Sequence, residues 1–330
     1  MRTRPRPARW RGFAGVGLLL AGLLLAAYLN LGPGPTARAG ASTLVFLPRG
    51  SGVSEVSRVL KSSGVIRSEL LFQVLARATG AGRSLKAGEY DFPSRTPVLS
   101  ILSDLQAGRT LHRSVTLAEG RTSAMIVRQL QNTEWLSGDL EVPEEGVLLP
   151  ETYRTDRGDS RQSLVDRMRS DQQALLDRLW AARQPGLPLS SPREAVILAS
   201  IVEKETGQAN ERRRVAGVFI NRLRVGMRLQ SDPTVIYAIS RGEPLGRGLR
   251  ASELLSRSPW NTYAYSGLPP TPIANPGKAS LEAVLDPVQT QDLYFVADGS
   301  GGHVFARTLA EHNANVARWR EIERGRAGGD

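Results

Sequence analysis

The residues best placed to do chemistry are the two glutamates that close the stretch Ser190–Gly207, SSPREAVILASIVEKETG. Laid out at about 100° per residue, Ile197, Leu198, Ile201 and Val202 form one apolar stripe, and Glu205 falls in its middle. Glu203 falls on the far side and reads as a solvent or boundary contact. A carboxyl centred on a packing face is unfavourable unless it is paired, protonated or turned toward a cleft. Glu205 is therefore the candidate general acid. The same stretch carries its own start and stop signals. Ser191 can cap, Pro192 suits the first helical position, Glu194 closes a capping box with Ser191, and Gly207 can end the helix.

Other chemistries lack residues. There is no cysteine, which excludes disulfides, thiolate metal sites and cysteine nucleophiles. The three histidines, His112, His303 and His312, form no HExxH zinc motif, and no GxSxG, SxxK or phosphate-loop pattern occurs. No metal or other cofactor is expected. A glycoside hydrolase of the usual kind needs two carboxylates across one bond. Asp232, Glu211 and Glu151 are available partners, but no helical spacing forces any of them toward Glu205. A single acid suffices where the substrate brings its own nucleophile. In bacterial wall glycan, N-acetylmuramic acid carries a C6 hydroxyl that can attack C1. One glutamic acid can then protonate the leaving oxygen and accept the C6 proton, closing a 1,6-anhydro ring. Such an acid needs a raised pKa in an apolar setting.

The elements that position this helix follow from the rest of the chain, whose pattern is α+β. Residues 1–11 hold five arginines and no acid, and Gly12–Leu29 is an uncharged apolar run. At 1.5 Å per residue the run spans about 27 Å. The basic flank predicts a single-pass anchor with a cytoplasmic N-terminus and the bulk of the chain outside the membrane. Ala37-Arg38-Ala39 is the alternative cleavage site of a signal peptide, though it lies well past the apolar run. Residues 30–42 read as a tether. A small β-α-α-β module fills 43–110, with a strand at Thr43–Leu47, helices at Val53–Gly64 and Glu69–Thr79, a strand ending at Phe92, and a further helix ended by Gly108. A connecting region, 111–189, holds a strand at Leu111–Leu117, a helix at Ser123–Gln131, a groove-like loop at Glu144–Tyr153 and a long helix at Ser163–Arg183.

Residues 190–320 form the candidate catalytic domain, and 321–330 a polar tail. In that domain a helix at Glu211–Val225 follows the glutamate helix, and Asp232 is expected to cap another at Pro233–Ser240. The loops Ser258–Tyr263 and Gly267–Ile273 could build a sugar groove, with Trp260, Tyr263 and Tyr265 as ring-stacking faces and Asn261 as an amide donor. The formal charge of +11 suits a polyanionic partner, and no nucleic-acid-binding signature accompanies it.

Taken together, ASIVEKET, VFINRL, MRLQSDPTVIY, NTY, GLPPTPIANPG and YFVADGSGGHVF resemble the YceG-like endolytic murein transglycosylases, the MltG family. The resemblance covers residues 12–320. It implies that Glu205, the second Glu of EKET, is the catalytic acid. It places Asn221, Gln230, Asp232, Thr234, Tyr237 and Asn261 in the groove. It implies a LysM-like module at the β-α-α-β stretch and no cofactor. It further implies cleavage of the MurNAc-β-1,4-GlcNAc bond within nascent peptidoglycan strands beside the wall synthases, the penicillin-binding proteins. The family stretch ending in PDT(W/Y) appears as residues 145–153, with Glu151 in place of the usual Asp. The alternatives are a non-catalytic glycan-binding scaffold protein and a muramidase hydrolase.

Overall fold

A computed structural model describes residues 32–327. The basic segment, the apolar run expected to be an anchor and the last three residues lie outside that range. Among the described residues no helix is long and apolar enough to cross a membrane. Among the described residues the fold is α+β, with the paired strands in two-stranded sheets. Two compact units divide the chain: residues up to Arg113 with Arg154–Asp159, and Ser114–Tyr153 with Ser160 onward.

In the first unit, β1 (Ser42–Leu47) pairs antiparallel with β2 (Gly88–Pro93), Val45 opposite Tyr90 and Leu47 opposite Gly88. Alternation turns Val45, Leu47, Tyr90 and Phe92 inward. There they meet α1 (Val53–Ser62), α2 (Glu69–Ala78) and α3 (Val98–Ala107) in one core. Gly108 ends α3 in the left-handed region at φ 70°, the conformation only glycine adopts freely. On the opposite face of β2, Glu89 is almost fully buried between Arg113 at 2.7 Å and Arg157 at 3.0 Å. The Arg113 contact leads in holding the Glu89 carboxyl below the usual carboxylate range, against the opposing effect of burial.

In the second unit, α4 (Ser123–Gln131) and α5 (Arg161–Ala181) share a core around Ile126, Leu164 and Met168. Two short strands that begin or end in the first unit, β3 (Arg113–Thr116) and β4 (Thr152–Thr155), pair here, and β4 replaces the loop expected at 152–153. The main core surrounds α6 (Pro192–Glu205), packed by α5, α7 (Arg212–Arg224), α8 (Asp232–Ser240) and α10 (Lys278–Leu285). A one-turn α9 (Ala251–Leu254) precedes the polar-aromatic loops. The strands β5 (Tyr294–Ala297) and β6 (His303–Ala306) pair as a hairpin. The last helix, α11, runs Leu309–Ala327, continuing through the segment expected to be a polar tail.

Every residue of α6 from Ala195 to Val202 is buried. The helix therefore has no solvent face along that stretch, and the stripe reading is corrected in that respect: α6 is a central helix, enclosed on all sides. Its start also differs in one detail. Ser191 Oγ accepts from Glu194 N, but the Glu194 carboxylate reaches back to Ser190 rather than Ser191. Thr206, in extended conformation, ends the helix before Gly207 is reached.

Candidate active site

Glu205 is the last residue of α6 and keeps partial exposure, just beyond the fully buried stretch Ala195–Val202. Burial pushes its carboxyl from the ordinary 4.5 up to about 7. A hydrogen bond from Ser231 opposes that rise, the Asp232 carboxylate adds to it, and His303 and Arg222 act against it. The position compounds the effect, because the partial negative charge at a helix C-terminus also disfavours an anion.

Ser231 Oγ donates a hydrogen bond to Glu205 Oε1. Ser231 occupies the N-cap position of α8, so the expectation that Asp232 caps this helix is corrected: Asp232 is its first residue, and its side chain faces the loop instead. There Tyr263 Oη donates to Asp232 Oδ1 at 2.6 Å. Burial and this carboxylate both raise the Tyr263 phenol well above its usual range. Arg222 lies in the same neighbourhood and is 6% exposed. Its Nε donates to Leu293 O at 2.7 Å, its Nη1 donates to Leu229 O, and its guanidinium faces the Tyr294 ring. Burial lowers the Arg222 pKa, while Glu205 acts to raise it. His303 is held by Glu211, which accepts from the His303 backbone N at 3.0 Å and approaches its Nδ1 at 2.8 Å. Glu211, one of the possible partner acids, is thus already engaged.

Of the residues named from sequence, the structure gathers Glu205, Asp232 and Tyr263. The others have tasks of their own. Asn221 Nδ2 braces the 290–292 segment through Thr290 O at 2.8 Å and Asp292 O at 3.1 Å. Gln230 takes φ 50°, a rare conformation for a residue with a side chain, and its N–H donates to Thr262 O. Thr234 is buried, and its hydroxyl donates to Ser231 O at 2.6 Å beside Thr262 Oγ1. Tyr237 is buried with its hydroxyl 3.4 Å from Glu145 Oε2. Asn261 is fully buried, its amide donating to Leu254 O and Ser256 O while its Oδ1 accepts from Tyr263 N. That amide is an internal loop staple. Glu151 is exposed on the strand pair, where its backbone carbonyl accepts from Leu117 N. Trp260 donates to Thr271 Oγ1 and is covered by Arg241, whereas Tyr265 is half exposed.

Glu203 makes a boundary contact. Its carboxylate accepts from Gly277 N at 3.0 Å and Ser280 Oγ at 2.6 Å, capping α10. A helix N-terminus offers free N–H groups and partial positive charge, which is why an acid settles there.

The largely buried helix α6 thus delivers one carboxyl group, that of Glu205, into a polar cluster formed with Ser231, Asp232 and Tyr263. The chain belongs to the YceG-like family, whose model matches residues 45–318. Among characterised relatives, the endolytic murein transglycosylase of Bacillus subtilis (strain 168) is 31% identical, the match covering 82% of each chain. That of Streptococcus pneumoniae (strain D39) is 29% identical, covering 83% of this chain and 57% of the relative. The crystal structure of a yceG-like protein from Listeria monocytogenes superposes with a TM-score of 0.51 at 28% identity, covering 84% of this chain and 99% of that one.

Proposed function

We propose that this protein is an endolytic lytic transglycosylase of peptidoglycan, with Glu205 as its sole acid and base. The observation that carries the reading is the place of Glu205, a half-buried carboxyl at the end of a helix whose middle is fully buried, bonded by Ser231 and beside Asp232, where burial pushes its pKa up to about 7. An acid that titrates near the working pH can both give and take a proton. In the first step Glu205 gives its proton to the glycosidic oxygen as the bond from C1 of N-acetylmuramic acid breaks. The C6 oxygen then bonds to C1 and returns its proton to Glu205. The enzyme ends as it began, and the glycan gains a 1,6-anhydro end without consuming water.

Asp232 favours the second reading, a muramidase hydrolase, because its carboxylate lies close enough to influence Glu205. Against that, Asp232 is bonded by Tyr263. Mass spectrometry of products from purified glycan strands separates the two. Anhydro ends support the transglycosylase, and reducing ends, heavier by one water, refute it.

Three further parts of the reading rest on sequence pattern. The Arg-rich start and the 12–29 run support a single-pass anchor that holds the enzyme on the outer side of the cytoplasmic membrane. There it would meet nascent strands and the synthases that make them, and its cuts would end glycan elongation. The β-α-α-β core of the first unit supports a LysM-like glycan-binding role. Protease added to intact spheroplasts should digest the chain beyond about residue 40, and protection would refute the orientation.

A further inference from the structure

We propose that Ser231 is the positioning residue of the acid: its hydroxyl holds Glu205 Oε1, so that the transferable proton resides on Oε2. The proposal rests on the reading of Glu205 as the acid. It begins from a misfit in local chemistry. A serine at an N-cap ordinarily accepts, through its side chain, the N–H of the second or third helical residue. Ser231 stands at the N-cap of α8 and makes no such bond. The turn is closed instead by its backbone carbonyl, which accepts from Thr234 N at 3.2 Å and from Thr234 Oγ1 at 2.6 Å. The side chain is thereby free to donate to Glu205 Oε1.

The surrounding network fixes that hydroxyl in place. Ser231 is 1% exposed. Its N–H donates to Thr262 Oγ1 at 3.0 Å, the neighbouring Gln230 N–H donates to Thr262 O at 3.1 Å, and Thr262 Oγ1 lies 2.9 Å from Thr234 Oγ1. Two segments remote in sequence, 230–234 and 261–263, are cross-tied around one serine. An ionised Glu205 can only accept from this hydroxyl. When the carboxyl is protonated, keeping that bond leaves Oε2 as the oxygen that carries the proton. The hydroxyl also tempers the acid. The charged and titratable groups around Glu205 are Asp232, Tyr263, His303 and Arg222. With burial and Asp232 both favouring the neutral form, a donor to the carboxylate keeps the proton releasable.

The test uses the full chain carrying S231A, S231T or E205Q, with ¹³C-labelled glutamate carboxyls followed by NMR through a pH titration. E205Q identifies the Glu205 signal. S231A should raise the Glu205 midpoint by about one pH unit, the value of a lost hydrogen bond to a charged group. S231T, which keeps the hydroxyl, should restore the wild-type midpoint. S231A should melt close to wild type below about pH 7, where the folded Glu205 keeps its proton in both, and should fall behind it at higher pH as the raised midpoint makes ionising the buried acid more costly. In glycan digestion, kcat/KM should fall tenfold or more, with the alkaline limb of its pH profile displaced upward. An unchanged Glu205 midpoint in S231A would overturn the proposal, as would lost activity with an unmoved alkaline limb. If wild type cleaves no glycan, the functional reading fails, and the midpoints still decide whether Ser231 governs Glu205.

Discussion

Replacing Glu205 by glutamine should separate its chemistry from its effect on stability. The folded carboxyl titrates near 7 against an ordinary 4.5. That gap of about 2.5 units corresponds to about 3 kcal/mol. The sign follows from which state holds the proton. Below about pH 4.5 both folded and unfolded chains are protonated, and the site costs nothing. Between 4.5 and 7 the unfolded chain has released its proton while the folded chain keeps it, so stability falls as pH rises, and above 7 the penalty is complete. E205Q has no proton to lose and escapes this term. Its melting temperature relative to wild type should therefore climb by about 5–10 °C between pH 5 and pH 8. Over the same range E205Q should release anhydro ends about 10²–10⁴ times more slowly, and wild-type activity should decline once pH passes about 7. Calorimetry at several pH values, paired with product analysis, measures both. A melting difference that does not vary with pH would refute the buried-acid argument, and near wild-type cleavage by E205Q would refute the role of the residue.

Three other substitutions test the surroundings. E203A removes the cap of α10 and should cost about 1 kcal/mol of stability, with cleavage per folded molecule unchanged; a loss of specific activity would move Glu203 into the chemistry. N261A strands the carbonyls of Leu254 and Ser256 and should destabilise by about 2 kcal/mol; a wild-type melting temperature with lost activity would assign the amide to substrate instead. In the first unit, E89A should cost about 2 kcal/mol near neutral pH. Because the folded Glu89 pKa is lowered, its contribution is present above about 4.5 and lost as pH falls through the lowered value, so wild type and E89A should converge in acid melts.

The sequence reveals what one segment determines by itself. Pro192 after Ser191, with the mostly apolar segment Ala195–Val202 behind it, is enough to start α6 correctly and to bring Glu205 to its end. It was not enough to describe the helix surface, because three neighbouring helices and α5 cover residues the period alone would leave outside. Side chains whose partners are distant in sequence stayed hidden. Asp232 before Pro233 draws the capping role in the sequence, and nothing local says that the hydroxyl of Ser231 turns to a residue on another helix. Glu203 finds Gly277 and Ser280 only through tertiary packing. Asn261 has the composition of a ligand contact, yet its amide is occupied by carbonyls of its own loop. The strand Thr152–Thr155 is too short to announce itself, and its pairing depends on β3.

The enclosure of α6 also bears on how the molecule can move. Amides along Ala195–Val202 should be among the slowest in the protein to exchange with deuterium, since opening them requires undoing the main core. The reactive carboxyl thus sits at the edge of the most protected part of the chain. Across from it stand the 230–234 turn and the 258–273 loops, tied to each other by hydrogen bonds and anchored in the same core through Trp260, Leu268 and Ile273. A polymer entered at an internal bond has no free end to thread, so the cleft must open sideways to receive it. The fold therefore presents the acid on a fixed frame, and the polymer is laid across it rather than threaded through it.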